Sequence, residues 1–304
     1  MVRFILIFLF CWQDSLSVFG QKPVLVYQTD FGVKDGAVAA MKGVAYGVSP
    51  LLAQYDLSHE IPPYDIWQAA YRLRQTVPYW PAGTVFVSVV DPGVGSARRS
   101  VIAKLKTGQF IVTPDNGTLT LLALEIGMDE VRLLEEERNR LPGSSASYTF
   151  HGRDLYAYTA ARLAAGRISF AAIGPLVPAE TVVKIPFQAA RREGKLLRGN
   201  IPVLDPQYGN IWTNIPLQLV QDFGVRYGDP LLVTVRKEGQ QVYRDTVLFG
   251  NTFSVVPVGK PVAYANSLLN FSLGINQGNF AQEFKVGSGP GWDLVIEKVT
   301  GLKR

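Results

Sequence analysis

The sequence predicts an α/β N-terminal domain with a mostly parallel sheet, followed by a smaller all-β domain of barrel or sandwich type. Up to residue 166, short β-branched runs alternate with helical patterns, an order typical of parallel sheets covered on both faces. Beyond residue 194, almost every segment has the pattern of a strand, with turn residues at short intervals. Residues 174–194 contain three prolines and lose helical periodicity, so we expect domains over 21–180 and 181–304.

The individual elements follow from two patterns. Short apolar runs rich in β-branched residues predict strands at 24–28, 51–56, 84–90 and 109–113. Apolar residues at helical spacing predict helices at 34–46, 65–73, 119–127 and 154–166. Asp65 stands at the start of the second helix, where an aspartate can cap free backbone N–H groups. In the C-terminal domain, strands are predicted at 231–236, 241–249, 253–258, 261–275 and 293–299.

The composition excludes several classes of protein. With 47% hydrophobic residues, the chain of 304 residues can bury a sizeable core. The net charge of +5 is mildly basic, but no long Lys/Arg run or nucleic-acid motif is present, so we predict no nucleic-acid partner. Two histidines and one cysteine are too few for a zinc site rich in either residue. An oxygen-ligand Mg²⁺ site from Asp30, Asp35 and Asp91 stays an alternative, although we predict no metal and no cofactor.

The N-terminus has the pattern of a signal peptide. Arg3 precedes nine consecutive apolar residues at 4–12, too few to span a bilayer as a helix. We therefore expect residues 1–20 to be a signal peptide, the processed protein to be periplasmic or secreted and to have no membrane association. Two alternatives are an apolar N-terminal strand and a start codon upstream of the true one, and without cleavage the protein would be cytoplasmic. Cys11, the only cysteine, lies inside this segment.

Polar residues follow several predicted strands. Asp30 and Asp91 come directly after strands, and Asn116 lies in the Pro114–Gly117 turn after another. In α/β sheets, ligands bind beyond the carboxyl ends of the strands. The segment SVVDPGVGSARR adds Arg98 across a glycine turn from Asp91, which suits a site holding a small polar reactant beside a positive charge.

Each of these residues also has a purely structural interpretation. Asp30 could cap a helix, or its carboxylate could accept both hydroxyls of a ribose. His151 stands just before a predicted helix, where it could cap, pack or react. The turn at 205–214 could be a plain hairpin loop, although its amide, carboxylate and indole groups suit a purine.

Five motifs in order resemble those of a known family, the S-adenosylmethionine (SAM) hydrolases. These enzymes, also called SAM hydroxide adenosyltransferases, are relatives of the fluorinase and chlorinase. The resemblance runs from about residue 23 to the C-terminus, and each motif alone is weak, whereas five at similar spacing are specific. The motifs are TDFG at 29–32 with Asp35, VVDPGVGSARR at 89–99, PDNG at 114–117, FHGRD at 150–154 and GNIWTNI at 209–215.

The resemblance implies a metal-free hydrolysis of SAM to adenosine and L-methionine in a homotrimer, with the substrate between neighbouring subunits. Arg98 and His151 would hold a water or hydroxide in line with C5′, and Asp91 would orient and partly neutralise them. The halogenating relatives carry a tyrosine in place of Asp91 and a serine in place of Gly152, so both residues favour hydrolysis. A halide-dependent adenosyl transferase and a non-catalytic binder of adenosine or SAM stay as alternatives.

The resemblance also implies substrate contacts at both ends of the molecule. The halogenases carry arginine at the position of Leu268, so binding of the methionine carboxylate departs from their pattern here. The implied contacts are Asp30 with the ribose, Asp35 and Asp205 with the methionine amine, Asn210 and Phe253 with adenine, Tyr64 and Trp212 as aromatic walls, and Ser267 near the methionine carboxylate; Asn116 of the PDNG motif completes the set.

Overall fold

The computed structural model describes residues 23–299, so the predicted signal peptide lies outside the described residues. These residues divide into two compact units. The first unit contains residues 23–64, 79–116 and 125–182, and the second contains residues 65–78, 117–124 and 183–299. Within this range no helix has both the length and the apolar character needed to cross a membrane.

The strands and helices are numbered in chain order. The strands are β1 Val24–Thr29, β2 Ala53–Ser58, β3 Val85–Val89, β4 Ser100–Leu105, β5 Phe110–Pro114, β6 Met128–Leu133, β7 Leu176–Val177, β8 Arg191–Glu193, β9 Leu196–Asn200, β10 Val203–Leu204, β11 Ile211–Pro216, β12 Pro230–Lys237, β13 Gln240–Phe249, β14 Pro261–Ala265, β15 Asn270–Ile275 and β16 Trp292–Lys298. The helices are α1 Ala37–Val48, α2 Ile66–Thr76, α3 Thr120–Glu125, α4 Glu136–Asn139, α5 Tyr158–Ala164, α6 Leu217–Asp222 and α7 Phe280–Phe284, with a π-helix at Gly152–Ala157.

The first unit is built on a seven-stranded sheet in the order β2-β1-β3-β5-β4-β6-β7. The pairs β1–β2, β1–β3 and β3–β5 are parallel, whereas β4–β5, β4–β6 and β6–β7 are antiparallel. The predicted mostly parallel sheet is therefore wrong, because the sheet is mixed. The physical reason is the tight turn after Leu105, whose N–H donates to the Gln109 carbonyl at 2.8 Å. So short a connection cannot cross over the sheet, and β4 and β5 must run in opposite directions.

The core of the first unit forms between this sheet and the helices that cover it. Leu25, Tyr27 and Val87 of the sheet pack with Met41 of α1 and with a larger set from the π-helix and α5. That set contains Leu155, Tyr156, Ala157, Ala160 and Ala161. Each is fully or almost fully buried, so the backbone that follows His151 is held by packing on the sheet.

The second unit contains a nine-stranded sheet in the order β10-β11-β15-β14-β13-β12-β16-β9-β8. Every adjacent pair is antiparallel except β13–β14, so the predicted all-β character of this region is confirmed in its main part. The strand predicted at 253–258 is wrong. Phe253–Val255 forms a 3₁₀ turn instead, and Pro257 follows it without a backbone donor for a ladder.

Helix α2 belongs to this second unit. The predicted cap at Asp65 is confirmed, since its Oδ1 accepts a hydrogen bond from Gln68 N at 2.9 Å. Trp67 Nε1 of the same helix donates to the Pro202 carbonyl at 3.2 Å, and Arg72 Nη2 donates to the Leu204 carbonyl at the same distance. These bonds attach α2 to strand β10 and to the residue before it.

Candidate active site

The carboxyl ends of the parallel strands lie at one edge of the first sheet, as predicted. Thr29 pairs with Val89 in the β1–β3 ladder, so Asp30 and Asp91 leave the sheet at that edge. Asn116 follows β5 at the same edge, and its Nδ2 donates to the Val90 carbonyl at 2.8 Å. This bond fixes the backbone directly before Asp91.

The loop between β3 and β4 brings the acid and the guanidinium together. Arg98 lies seven residues after Asp91, and Gly95 has a φ of +75°, which favours glycine. A side chain at Gly93 would come within 3.2 Å of Arg98 Cγ, so glycine lets the arginine fold back over the turn. Arg98 Nε donates to Asp91 Oδ1 at 2.7 Å and Nη2 donates to Oδ2, which makes a bidentate pair.

Arg98 is the centre of the site, because it contacts both other predicted catalytic residues. Its Nη2 lies 3.2 Å from His151 Nδ1, and its Nη1 donates to Ser100 Oγ at 2.7 Å. Ser100 Oγ lies 3.0 Å from the hydroxyl of Tyr156, whose ring lies 5.8 Å from the guanidinium carbon. The side chains of Asp91, Arg98 and His151 are 5%, 12% and 3% exposed, so the set is nearly shielded from water.

The contact with Arg98 determines the tautomer of His151. A guanidinium only donates hydrogen bonds, so Nδ1 must accept and the neutral ring carries its proton on Nε2. Burial lowers the pKa of His151 below its ordinary value of 6.5, and the charges of Arg98 and Arg140 act in the same direction. Glu136 and Asp91 oppose this shift without cancelling it. His151 is therefore a neutral base at pH 7.

His151 lies directly before the π-helix Gly152–Ala157, which continues as α5. Single π-turns are rare in proteins and occur often at functional sites. The turn is held by Asp154, which is fully buried and accepts from Arg153 Nε at 2.6 Å. The Asp154 carbonyl also accepts from Leu141 N at 2.7 Å. These bonds fix the backbone that positions the imidazole.

Gly152 is in contact with two aromatic rings. A side chain at this position would come within 3.1 Å of the Phe31 ring and 3.2 Å of the Phe150 ring. The two rings pack edge to face, with centroids 5.9 Å apart. A serine here would therefore require these rings to shift by a few tenths of an ångström.

Asp30 does not cap a helix. Helix α1 begins at Ala37 after its N-cap Gly36, and the Ala37 N–H donates to Asp35 Oδ1 at 2.9 Å. Asp30 Oδ2 instead accepts from Tyr64 N at 2.9 Å. Tyr64 has a φ of +68° and a side chain that is largely exposed. Asp30 thus holds an exposed aromatic residue beside the edge of the sheet.

A buried histidine that the sequence did not indicate lies under Asp30. His59 Nδ1 is 2.8 Å from Thr29 Oγ1, and its Nε2 is 3.0 Å from Asp56 Oδ1. Thr29 Oγ1 also accepts from Phe31 N at 3.2 Å, which closes the backbone around Asp30. Only the three-dimensional structure reveals this support, because these residues come from different strands and turns.

In the second unit, Asp205 and Asn210 close the loop between β10 and β11. Asp205 N donates to the Asn210 carbonyl at 2.9 Å, and Asn210 Nδ2 donates to Asp205 Oδ2 at 3.2 Å. Asn210 and Phe253 meet over Gly274, where a side chain would come within 2.3 Å of Asn210 Oδ1 and 2.7 Å of Phe253 Cε1. The structure therefore brings the two predicted adenine contacts together.

Two further predicted residues of the second unit, Trp212 and Ser267, lie on β11 and in the turn between β14 and β15. Trp212 is only 8% exposed, and its ring packs 6.4 Å from that of Tyr71. Leu268 packs against the same apolar cluster. Ser267 is exposed in the turn between β14 and β15, which Asn266 closes by accepting from Leu268 N at 2.9 Å. Within this unit, Trp212 therefore packs beside Tyr71.

The Mg²⁺ alternative is not formed in the described part of the chain. Among residues 23–299, no group of three or more His, Cys, Asp or Glu side chains is arranged to hold a metal ion. Asp30, Asp35 and Asp91 make separate contacts with Tyr64, Ala37 and Arg98.

The fold and the site define a two-unit α/β–β protein with a buried aspartate–arginine–histidine set at the carboxyl edge of its first sheet. Residues 25–174 match the SAM hydroxide adenosyltransferase N-terminal domain, and residues 199–293 match the C-terminal domain of the same family. The chain therefore belongs to the SAM hydroxide adenosyltransferase family.

Three of the proteins to which this chain is similar are a hydrolase, a fluorinase and an uncharacterized protein. The chain is 39% identical to the (R)-S-adenosyl-L-methionine hydrolase of Thermus thermophilus, covering 85% of this chain and 93% of that protein. It is 27% identical to a fluorinase from Actinopolyspora mzabensis, covering 91% and 97%. The crystal structure of an uncharacterized conserved protein from Thermotoga maritima has a TM-score of 0.83 at 29% identity, covering 90% of this chain and all of that one.

Proposed function

We propose that this protein is a hydrolase that converts SAM and water to adenosine and L-methionine. The observation that carries the proposal is the buried contact of Asp91, Arg98 and His151 in a chain of this family. The water oxygen bonds to C5′, the C5′–sulfur bond breaks, and its electron pair stays on sulfur. The sulfonium thus leaves as a neutral thioether and needs no general acid.

The two residues that meet at 3.2 Å would position the water. Arg98 Nη2 is a donor and His151 Nδ1 is an acceptor, and the two atoms contact each other directly. A water that displaces this contact would accept from the guanidinium and donate to the imidazole. A nearby guanidinium favours hydroxide over water, and fixed positioning of the water lowers the activation barrier by several kcal/mol. Asp91 binds Arg98 through both oxygens, so its role is to orient and partly neutralise the guanidinium.

Substrate contacts follow from the family resemblance and from the positions described above. Asp30 would accept the ribose hydroxyls, with Tyr64 beside it and Asn116 fixing the neighbouring backbone. Phe253 and Asn210 would bind adenine, a role of the C-terminal β domain (181–304), while the α/β domain (21–180) carries the catalytic set. The methionine contacts would be Asp35, Asp205 and Ser267, and Trp212 would form an aromatic wall of the site.

The assembly and location are further parts of this proposal. A homotrimer would place each substrate between residues of neighbouring subunits, as the resemblance implies. A cleaved signal peptide would make the protein periplasmic or secreted, and retention of residues 1–20 would leave it cytoplasmic. The reaction as written uses no metal and no redox cofactor.

Hydrolysis is favoured over halide transfer by two positions. Asp91 stands where the halogenating relatives carry tyrosine, and its carboxylate beside Arg98 would repel a halide. Gly152 stands where they carry serine, and the Phe31 and Phe150 rings crowd any side chain there. Both features remove a halide-binding element from the neighbourhood of His151.

We expect the purified protein to form adenosine from SAM at the same rate with and without chloride or fluoride. Chromatography of the nucleoside products measures this directly. Formation of a halogenated nucleoside, with the halide at C5′, would show that the protein is a halide-dependent adenosyl transferase and not a hydrolase. If SAM is not converted but calorimetry detects its binding, the protein is a non-catalytic binder.

Asp30→Ala is expected to weaken adenosine binding by about tenfold or more, since hydrogen bonds to a charged group contribute about 1.5–3 kcal/mol. Isothermal titration calorimetry gives the dissociation constant. Asp30→Asn distinguishes the contact with Tyr64 from the contact with the ribose. The amide oxygen can still accept from Tyr64 N, but the amide cannot accept from both ribose hydroxyls as a carboxylate does. Wild-type affinity in both variants would remove Asp30 from the ribose site.

A further inference from the structure

The proposed hydrolysis must release a proton. SAM carries a sulfonium charge that methionine lacks, so one water added to SAM gives adenosine, methionine and H⁺. The carboxylate of Asp91 is not free to take it, because both oxygens accept from Arg98. His151 is the neutral base in contact with the site, and it already carries one proton on Nε2. Accepting a second would leave an imidazolium beside the Arg98 guanidinium.

The Nε2 side of His151 faces a carboxylate. Glu136 Oε2 lies 3.7 Å from Nε2, and Nε2 is buried without a hydrogen-bond partner among residues 23–299. A buried polar hydrogen without a partner is unfavourable, so this atom requires an acceptor. The distance of 3.7 Å is longer than a hydrogen bond, and a small rotation of the Glu136 side chain would bring the two atoms into range.

Glu136 connects this buried atom to solvent. It is the first residue of α4, and its side chain is 39% exposed, against 3% for His151. Arg140, one turn along, lies 3.4 Å from the Glu136 carboxylate and positions it. A carboxylate with one side toward a buried imidazole and the other toward water is placed to move a proton outward.

We propose that Glu136 accepts the Nε2 proton of His151 during hydrolysis and delivers it to solvent. The inference rests on the proposed function. Once the water has displaced Arg98 from Nδ1, its proton passes to Nδ1 as the water oxygen bonds to C5′, while the Nε2 proton passes to the Glu136 carboxylate. The electron pair of the C5′–sulfur bond stays on sulfur. The carboxylic acid then loses its proton to bulk water and leaves His151 neutral, with its remaining proton on Nδ1. After the products leave, Nδ1 gives that proton to the entering water and Nε2 regains one through Glu136, which restores the starting tautomer and releases one proton in total.

The charges around His151 fit this assignment. Glu136 raises the pKa of His151 against the effects of burial, Arg98 and Arg140. The groups that face the ring are Asp91 and Arg98 from the β3–β4 loop, Glu136 from α4, Arg140 directly after α4, Tyr148 before the histidine and Tyr156 from the π-helix. Glu136 is the one carboxylate of this set that is partly open to solvent, since Asp91 is 5% exposed.

Glu136→Gln tests the proposal, because glutamine keeps the size of the side chain but cannot accept a proton. We expect kcat for adenosine formation to fall about tenfold or more, at the low end of the range for general bases, with KM within twofold of wild type. The pH at which kcat declines should move to lower values, because the pKa of His151 falls without Glu136. Glu137→Gln, an exposed neighbour, is the matched control and should retain wild-type kcat and pH profile.

A readout independent of turnover separates this inference from the proposed function. The chain has two histidines, so ¹⁵N-labelled imidazole signals can be assigned with one substitution at His59. We expect the titration of His151 to shift to lower pH in Glu136→Gln and not in Glu137→Gln. An unchanged titration, or a wild-type kcat and pH profile in Glu136→Gln, would refute the role of Glu136. Failure of the wild-type protein to form adenosine would refute the proposed function itself.

Discussion

His151→Ala is expected to lower kcat for adenosine formation by about 10²–10⁴-fold, the usual contribution of a positioned general base. The imidazole is the neutral acceptor that meets Arg98 at 3.2 Å, and alanine leaves the water with a donor only. Adenosine affinity should stay within about twofold of wild type, because His151 acts on the nucleophile and not on the nucleoside. Steady-state kinetics and calorimetry on the same preparation measure both quantities.

The pH dependence follows from the same residue. The pKa of His151 lies below its ordinary value of 6.5 because the ring is buried. The neutral form is the base, so kcat of the wild-type protein should be constant above that value and fall as the pH drops through the lowered pKa. A kcat that increases as the pH falls from 7 to 5 would contradict a neutral base.

His59→Ala provides the comparison within the chain, since His59 is the second buried histidine. His59 supports the backbone of Asp30 through Thr29. Its loss should weaken nucleoside binding and lower the free energy of unfolding, whereas kcat should fall much less than in His151→Ala. Equal kcat losses in the two variants would mean that removing any buried histidine disturbs the site. The specific role of His151 would then be unsupported.

The sequence predicted local structure well where a segment carries its own signals. The capping aspartate Asp65, the apolar run at β3 and the helical spacing of α1 each depend on neighbours in the chain. Strand β4 was not predicted, and neither was its antiparallel pairing with β5. The pairing depends on the length of the Leu105–Phe110 connection and on strands that are distant in the chain. Phe253 was assigned to a strand because its β-branched neighbours outweighed the effect of Pro257.

The same distinction applies to the site. The Asp91–Arg98 pair could be predicted from one loop, since its glycines permit the turn that joins them. His151 joins this pair through tertiary structure, and the family motifs supplied that link. Glu136 lies in a run of three glutamates typical of a solvated helix face, so no sequence signal distinguishes it from Glu137. Its position beside a buried nitrogen is visible only after folding.

Arg98→Ala is expected to reduce both stability and turnover. Breaking a buried ion pair costs about 3–5 kcal/mol of the free energy of unfolding, because the remaining charge is left without its partner. Asp91 is 5% exposed and would lose both hydrogen bonds from the guanidinium. Urea denaturation at pH 7 measures the stability, and adenosine formation should fall by at least the factor seen for His151→Ala, since Asp91 would no longer be neutralised beside the nucleophile.

The double variant Asp91→Ala/Arg98→Ala distinguishes an unpaired charge from lost packing. If the unpaired carboxylate causes the instability, the double variant should be more stable than Arg98→Ala alone. Arg98→Lys keeps the charge but cannot make the bidentate contact, so it should recover part of the stability and little of the turnover. A double variant less stable than the single one would show that the pair contributes chiefly through packing.

Arg99→Ala is the matched control for Arg98→Ala. Arg99 Nε donates to Asp115 Oδ2 at 2.9 Å, and the Asp115 side chain is fully buried, so this neighbour is also an arginine paired with a buried aspartate. Both variants should therefore lose stability. Only Arg98 contacts His151, so turnover by the folded fraction should fall sharply in Arg98→Ala and stay near wild type in Arg99→Ala. Equal turnover losses would mean that the loop requires both arginines for its shape, and the catalytic assignment of Arg98 would have no support from this comparison.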